Sequence, residues 1–207
     1  MVLSENQSYL ALSKLDGSPS LTGRKLLLKL LNKVLGISEL PEISKTPLGK
    51  PFFSDRLLPS FNISHSKSHI AVYLGNKQAV GCDIERIYSR PNWQDLAKAY
   101  FSKKEVEHLF ELNPLHGSRL FWRYWTTREA WIKQQGKSVW DMASFSLNTN
   151  KSQLSVVGAA EYFLHLTYQQ QQLSLCNTQA FTKVKSCQAL DTGLIINYEH
   201  SMSSENE

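Results

Sequence analysis

The sequence has 207 residues, enough for one large domain or two small packed ones. Apolar residues make up 42% and charged residues 20%, a balance that excludes a disordered or fibrous chain. The net charge of +5 favours an acidic partner, but the basic residues are scattered singly and form no block.

The first residues carry Glu5 and Asp16 without a long apolar stretch, unlike a secretion signal. Residues 20–35, SLTGRKLLLKLLNKVL, place Leu27, Leu30, Leu31 and Val34 at helical spacing and stop at Gly36, which predicts a helix. Its leucine cluster, Leu26 to Leu31, is broken by Lys29 and is too short to span a bilayer. A Pro/Gly-rich loop follows through Pro41, Pro47, Gly49 and Pro51. Three strands are predicted next, at Phe61–Ser64, Ile70–Leu74 and Ala79–Glu85, with Gly75-Asn76 turning the last two into a hairpin.

Ser102 and Glu105 form a capping-box signature for a helix running to about Leu112. A second helix is predicted from Ser118 to Gln135, closed by Gly136. Strand patterns then return at Tyr162–Thr167, Leu173–Cys176 and Gly193–Tyr198, and SMSSENE reads as a frayed polar tail. Cys82, Cys176 and Cys187 show no metal-site spacing and imply no disulfide framework, which points to a reducing, cytoplasmic compartment. The order of elements predicts an α+β fold of two similar subdomains, residues 1–88 and 89–207. They would pack as a pseudo-dimer with the active site in the cleft between them.

Three constellations could carry chemistry. Asp83 and Glu85 are two apart on a predicted strand, so both carboxylates project to one side and could share a hard cation. Taken alone, the spacing also fits a pair of solvated strand-end acids with Glu85 paired to Arg86, the commoner arrangement on surfaces. Glu129 and Lys133 share a helix face with Trp125, as a metal ligand with a phosphate-binding ammonium or as an ordinary i,i+4 salt bridge. Ser64 and His65 can donate to phosphate oxygens. They do not make a serine hydrolase, because adjacent strand residues face opposite ways and no Gly-x-Ser-x-Gly elbow is present.

Taken in order, FNISHS, AVGCDIE, YFSKKE and WTTREAWIKQQG resemble the blocks of the 4′-phosphopantetheinyl transferases, specifically the two-subdomain, surfactin-synthetase-activating type. Gly49-Lys50-Pro51 resembles that family's Gly-Lys-Pro element, and Arg24 sits where the family carries a phosphate-binding arginine. The resemblance covers residues 20 to 150. One position departs from it: Arg128 stands where the family has lysine, a planar fork in place of a point charge.

The resemblance implies that Asp83, Glu85 and Glu129 bind magnesium, which holds the pyrophosphate of coenzyme A. Arg24, Lys50, Pro51, Ser64 and His65 would hold the nucleotide half, and Lys133 would contact the pyrophosphate and stabilise the leaving group. Glu105 matches the family's Phe-x-x-x-Glu glutamate and is a candidate general base, although it equally fits the capping box. An apo acyl or peptidyl carrier protein would be the acceptor, and a monomer with no nucleic-acid or membrane partner is expected. Two rivals remain on residues alone. A magnesium-dependent nuclease would carry lysine two positions after the strand acids, where this chain has Ile87. A nucleic-acid-binding module would need clustered basic and aromatic residues.

Overall fold

The computed structural model describes residues 6–75, 78–88, 90–149, 154–190 and 193–201. Strand β1 (Gln7–Lys14) leads into helix α1 (Pro19–Leu35). Pro19 begins α1 where its missing N–H costs nothing. Gly36 ends it at φ 74°, a left-handed value that closes a bond to Asn32 O. A short pair, β2 (Ile43–Lys45) and β3 (Pro51–Phe53), lies in the Pro/Gly-rich stretch, followed by β4 (Phe61–His65), β5 (His69–Leu74) and β6 (Gly81–Arg86). Helices α2 (Trp93–Tyr100), α3 (Lys103–Phe110) and α4 (Pro114–Gln135) precede a 3-10 turn at Val139–Ser144. Six strands complete the order: β7 (Leu147–Asn148), β8 (Ser155–Val156), β9 (Tyr162–Tyr168), β10 (Gln171–Asn177), β11 (Phe181–Leu190) and β12 (Gly193–His200).

Two antiparallel sheets dominate, one in the order β11-β12-β1-β5-β4 and the other β6-β10-β9. Alternation along the strands assigns their faces. On the outer face of the larger sheet, Ala11, Ile70 and Val72 meet Leu26, Leu27, Leu30 and Leu31 of α1. Its inner face, with Leu10, Leu12, Ala71 and Tyr73, packs on Cys82, Ile84, Leu173 and Leu175 of the smaller sheet. The far side of the smaller sheet carries Phe163 and Cys176 into a third cluster with Phe121, Trp122, Ala130 and Trp131 of α4. The result is an α+β stack of helix, sheet, sheet and helix. Among the described residues, no helix is long and apolar enough to cross a membrane.

The predicted hairpin is not formed. β5 has both edges occupied, by β1 and β4, so it offers none to β6, which pairs with β10 in the other sheet. Asn76 of the expected turn lies outside the described residues, as does the terminal tail from residue 202 onward. The sheets also do not follow the sequence division near residue 88. β12 sits between β11 and β1, while β6 belongs to the smaller sheet.

Candidate active site

The site is built on β6. Cys82 and Ile84 point into the core between the sheets, so Gly81, Asp83 and Glu85 face α4. A Cβ on Gly81 would lie 1.9 Å from Ala130 O and 2.7 Å from Gln134 N. The missing side chain is therefore what lets the backbone of α4 rest directly on the strand. That contact brings Glu129 and Lys133 over the two strand acids.

Lys133 Nζ lies 2.6 Å from Asp83 Oδ1 and 2.9 Å from Ser64 Oγ, and Ser64 donates to the same Asp83 oxygen at 2.8 Å. Asp83 is buried, and its Oδ2 has no hydrogen-bond partner among the described residues. Burial, then the negative charges of Asp83 and Glu129, push the Glu85 carboxyl up to about 7 against the opposing pull of Lys133. Burial also raises Glu129, opposed by Lys133 and reinforced by Asp83. On Lys133 burial works against the charge, but Asp83 and Glu129 outweigh it and the ammonium is held more firmly than usual.

Three acids crowded beside one ammonium, with a buried carboxylate oxygen unpartnered, have the donor chemistry for a hard divalent cation. Among the described residues, no three His, Cys, Asp or Glu side chains already stand as a finished metal cluster. The residues fit such an ion through their charge and their orphaned acceptor.

The remaining candidates divide into groups. Lys50 and Pro51 line a cavity of about 650 Å³ with Phe52, Arg56, Ala79 and Gln134. Lys50 donates to Gln134 O at 2.7 Å, and burial lowers its ammonium to about 8. Arg24 and His65 are exposed. Gly23 rests on Ile63 and Ile70, so both residues lie toward the α1 side of the larger sheet, whereas Ser64 faces the carboxylates. A second cavity, about 750 Å³, lies beyond the end of β6 among Ile87, Tyr88, Trp93, Leu115, Arg119 and Gln172.

Glu105 is not brought to the cluster. It is fully buried, and both its oxygens accept from Arg128 Nη2, at 2.6 and 2.7 Å. It also receives the Ser102 amide at 2.8 Å, the Ser102 hydroxyl and the Leu147 amide at 3.2 Å. The capping box read from the sequence is present. Proton acceptance by Glu105 would require breaking the Arg128 pair in a place without solvent.

Arg128 is likewise fully buried, between the rings of Phe101 and Phe145, and donates to Met142 O and Phe145 O. The departure from lysine thus falls inside the fold, where a fork can serve Glu105 and two carbonyls together. The sequence reading missed Gly81 and Asn62, whose amide oxygen accepts from Cys82 N at 2.9 Å. The Asn-x-Ser spacing, which places Asn62 and Ser64 on one strand face, was the available signal.

Comparison with known proteins follows the same lines. The family model described as "4′-phosphopantetheinyl transferase superfamily" matches residues 79–184, which span β6, the three central helices and most of the later strands. The 4′-phosphopantetheinyl transferase AcpT of Escherichia coli (strain K12) is 39% identical over 162 residues, covering 78% of this chain and 76% of its own. The AcpT of Salmonella typhi is 43% identical over 136 residues, 66% of this chain and 67% of its own. The 4′-phosphopantetheinyl transferase HetI of Nostoc sp. (strain PCC 7120) is 31% identical over 121 residues, 56% of this chain and 51% of its own. With its carboxylate-bearing strand and α4 both inside the matched segment, the chain belongs to the 4′-phosphopantetheinyl transferase superfamily.

Proposed function

We propose that the protein transfers the 4′-phosphopantetheine group of coenzyme A to a serine hydroxyl of an apo-carrier protein, with magnesium held by Asp83, Glu85 and Glu129. The observation that carries this reading is the cluster itself: three acids from a strand and a helix, closed over one another by Gly81, with Lys133 and Ser64 in direct contact. In the reaction the serine oxygen bonds to the phosphorus next to the pantetheine arm. The pyrophosphate P–O bond breaks, adenosine 3′,5′-bisphosphate departs, and the hydroxyl proton passes to a base. When bound, magnesium supplies positive charge to the pyrophosphate.

The chain's own groups do the rest. Lys133 presents an ammonium held charged by its acidic neighbours, suited to the growing charge on the departing phosphate. Ser64 orients both Lys133 and Asp83. The cavity at Lys50, Pro51 and Arg56 suits the nucleotide half, with Arg24 and His65 offering further donors to phosphate from the α1 side. The cavity beyond β6 suits the arm and the incoming carrier. Glu105 takes a supporting part here, fixing Arg128 and through it the seat of α4.

The helix–sheet–sheet–helix stack supports two α+β units packed face to face, though their strands are exchanged across residue 88. The free Cys82, Cys176 and Cys187 support a reducing, cytoplasmic setting. Calorimetric titration with coenzyme A and with duplex DNA, each with and without magnesium, tests the ligand. Magnesium-enhanced binding of coenzyme A alone is expected. Preference for DNA, or coenzyme A binding unaffected by magnesium, would overturn the reading.

A further inference from the structure

β6 is an edge strand. In its sheet it has β10 on one side, and just past the strand the Ile87 amide donates to Gln170 O, one residue before β10, at 2.7 Å. The amides of Cys82 and Ile84, out of step with Ile87 by an odd number of residues, point the other way. A bare edge of this kind is a template for unwanted strand pairing. Here side chains cover it. Lys50 Nζ approaches Val80 O at 3.4 Å, Asn62 Oδ1 accepts from Cys82 N at 2.9 Å, and Ser64 Oγ lies 3.4 Å from Ile84 N.

Asn62 and Ser64 are two apart on β4, which matches the two-residue repeat of outward amides on β6. A further link runs from Cys82 Sγ to Asn62 O at 3.6 Å. The two sheets are thus stitched at this edge by side chains, on both sides of the residue that bears the central carboxylate. Ser64 also touches the cluster, but Asn62 is buried and its described side-chain bond goes to the amide one residue before Asp83.

We infer that Asn62 is a positioning residue for the transfer reaction, fixing Asp83 against Lys133 by holding the Cys82 amide. The inference rests on the transferase reading, so its test uses one readout that needs no turnover. In the wild-type protein, amide exchange followed by NMR should be as slow at Cys82 as at Leu173 and Leu175 inside β10. Asn62→Ala should accelerate exchange at Cys82 by on the order of 10-fold or more. It should lower kcat by roughly 10- to 100-fold and raise the magnesium concentration for half-maximal rate, while the KM for coenzyme A stays within about twofold.

Asn177→Ala is the control. Asn177 is equally buried and donates to Tyr73 between the sheets, so its loss should cost stability with kcat unchanged. Asn62→Ser keeps a neutral acceptor, as Ser64 does toward Ile84 N at 3.4 Å, and should restore much of the Cys82 protection and kcat that Asn62→Ala loses. Rapid Cys82 exchange in the wild type overturns the inference, as does an Asn62→Ala enzyme with the control's kcat. If Asn62→Ala does not fold, wild-type exchange and the Asn62→Ser rescue still decide, and failure of either counts against the role. A wild-type protein that protects Cys82 but transfers nothing would overturn the transferase reading, and this role with it.

Discussion

Two buried carboxylates, Asp83 and Glu105, sit in opposite circumstances, and their chemistry follows from the difference. Among the described residues Asp83 keeps one oxygen without a partner, whereas Glu105 has both oxygens committed to Arg128, Ser102 and Leu147. Glu105→Gln removes the charge opposite a guanidinium that no solvent reaches, and breaking such a pair costs about 3–5 kcal/mol. Chemical denaturation should show that loss, and an unchanged midpoint would refute the structural assignment. Glu85 predicts a pH dependence. Its carboxyl rises from an ordinary 4.5 to about 7 on folding, so the folded state holds the proton more tightly than the unfolded state. The stability it contributes is present in full below 4.5 and is lost as pH rises through 7. Without magnesium, urea midpoints should therefore fall between about pH 5 and pH 8, and Glu85→Gln should flatten that fall. A wild-type slope retained in the variant would assign the effect to other groups.

At the level of elements, the decisive contact is α4 on β6, and it depends on an absent side chain. Gly81→Ala would put a methyl 1.9 Å from Ala130 O, backbone that cannot turn aside as a flexible side chain can. The helix must lift, at a cost of about 3 kcal/mol, and Glu129 and Lys133 lift with it. The variant should unfold earlier on heating and lose most transfer activity, and normal activity would show that the cluster tolerates a looser seat. Two helix ends and one helix start were legible in the sequence because glycines and a cap mark them: Gly36, Gly136, and Ser102 with Glu105 all stand where expected. By contrast α2, without a side-chain cap bond at Asn92 or a closing glycine, was missed, and α4 begins four residues before the predicted Ser118. Strand partners were not legible, since pairing is decided by which edges remain open across the whole fold. β1, with Ser8 and Ser13 among its apolar residues, and the largely exposed β11 lack the apolar alternation that announces a strand. Within the site, spacing placed Asp83 with Glu85 and Glu129 with Lys133. The Glu105–Arg128 pair joins residues 23 apart on two helices, which spacing does not reveal.

Across the whole molecule, the later strands close a sheet that the earlier ones begin. β12 lies between β11 and β1, and β10 supplies the partner of β6. Residues 1–88 expressed alone would leave β1 with an open edge and β6 without its sheet, so the fragment should fail to fold. Circular dichroism of that fragment, alone and mixed with residues 89–207, should show structure only on mixing; a folded isolated fragment would contradict the interlocked arrangement. That interlock holds β6 and α4 together, and the account ultimately stands on what their carboxylates do. Intact-mass spectrometry of an apo-acyl carrier protein incubated with coenzyme A measures it directly. The account predicts one added phosphopantetheine with wild-type protein and magnesium, and none with a chelator. Asp83→Ala or Glu129→Ala proteins that remain folded should likewise add none. Modification that persists in the chelator, or that either variant carries out at the wild-type rate, would contradict it.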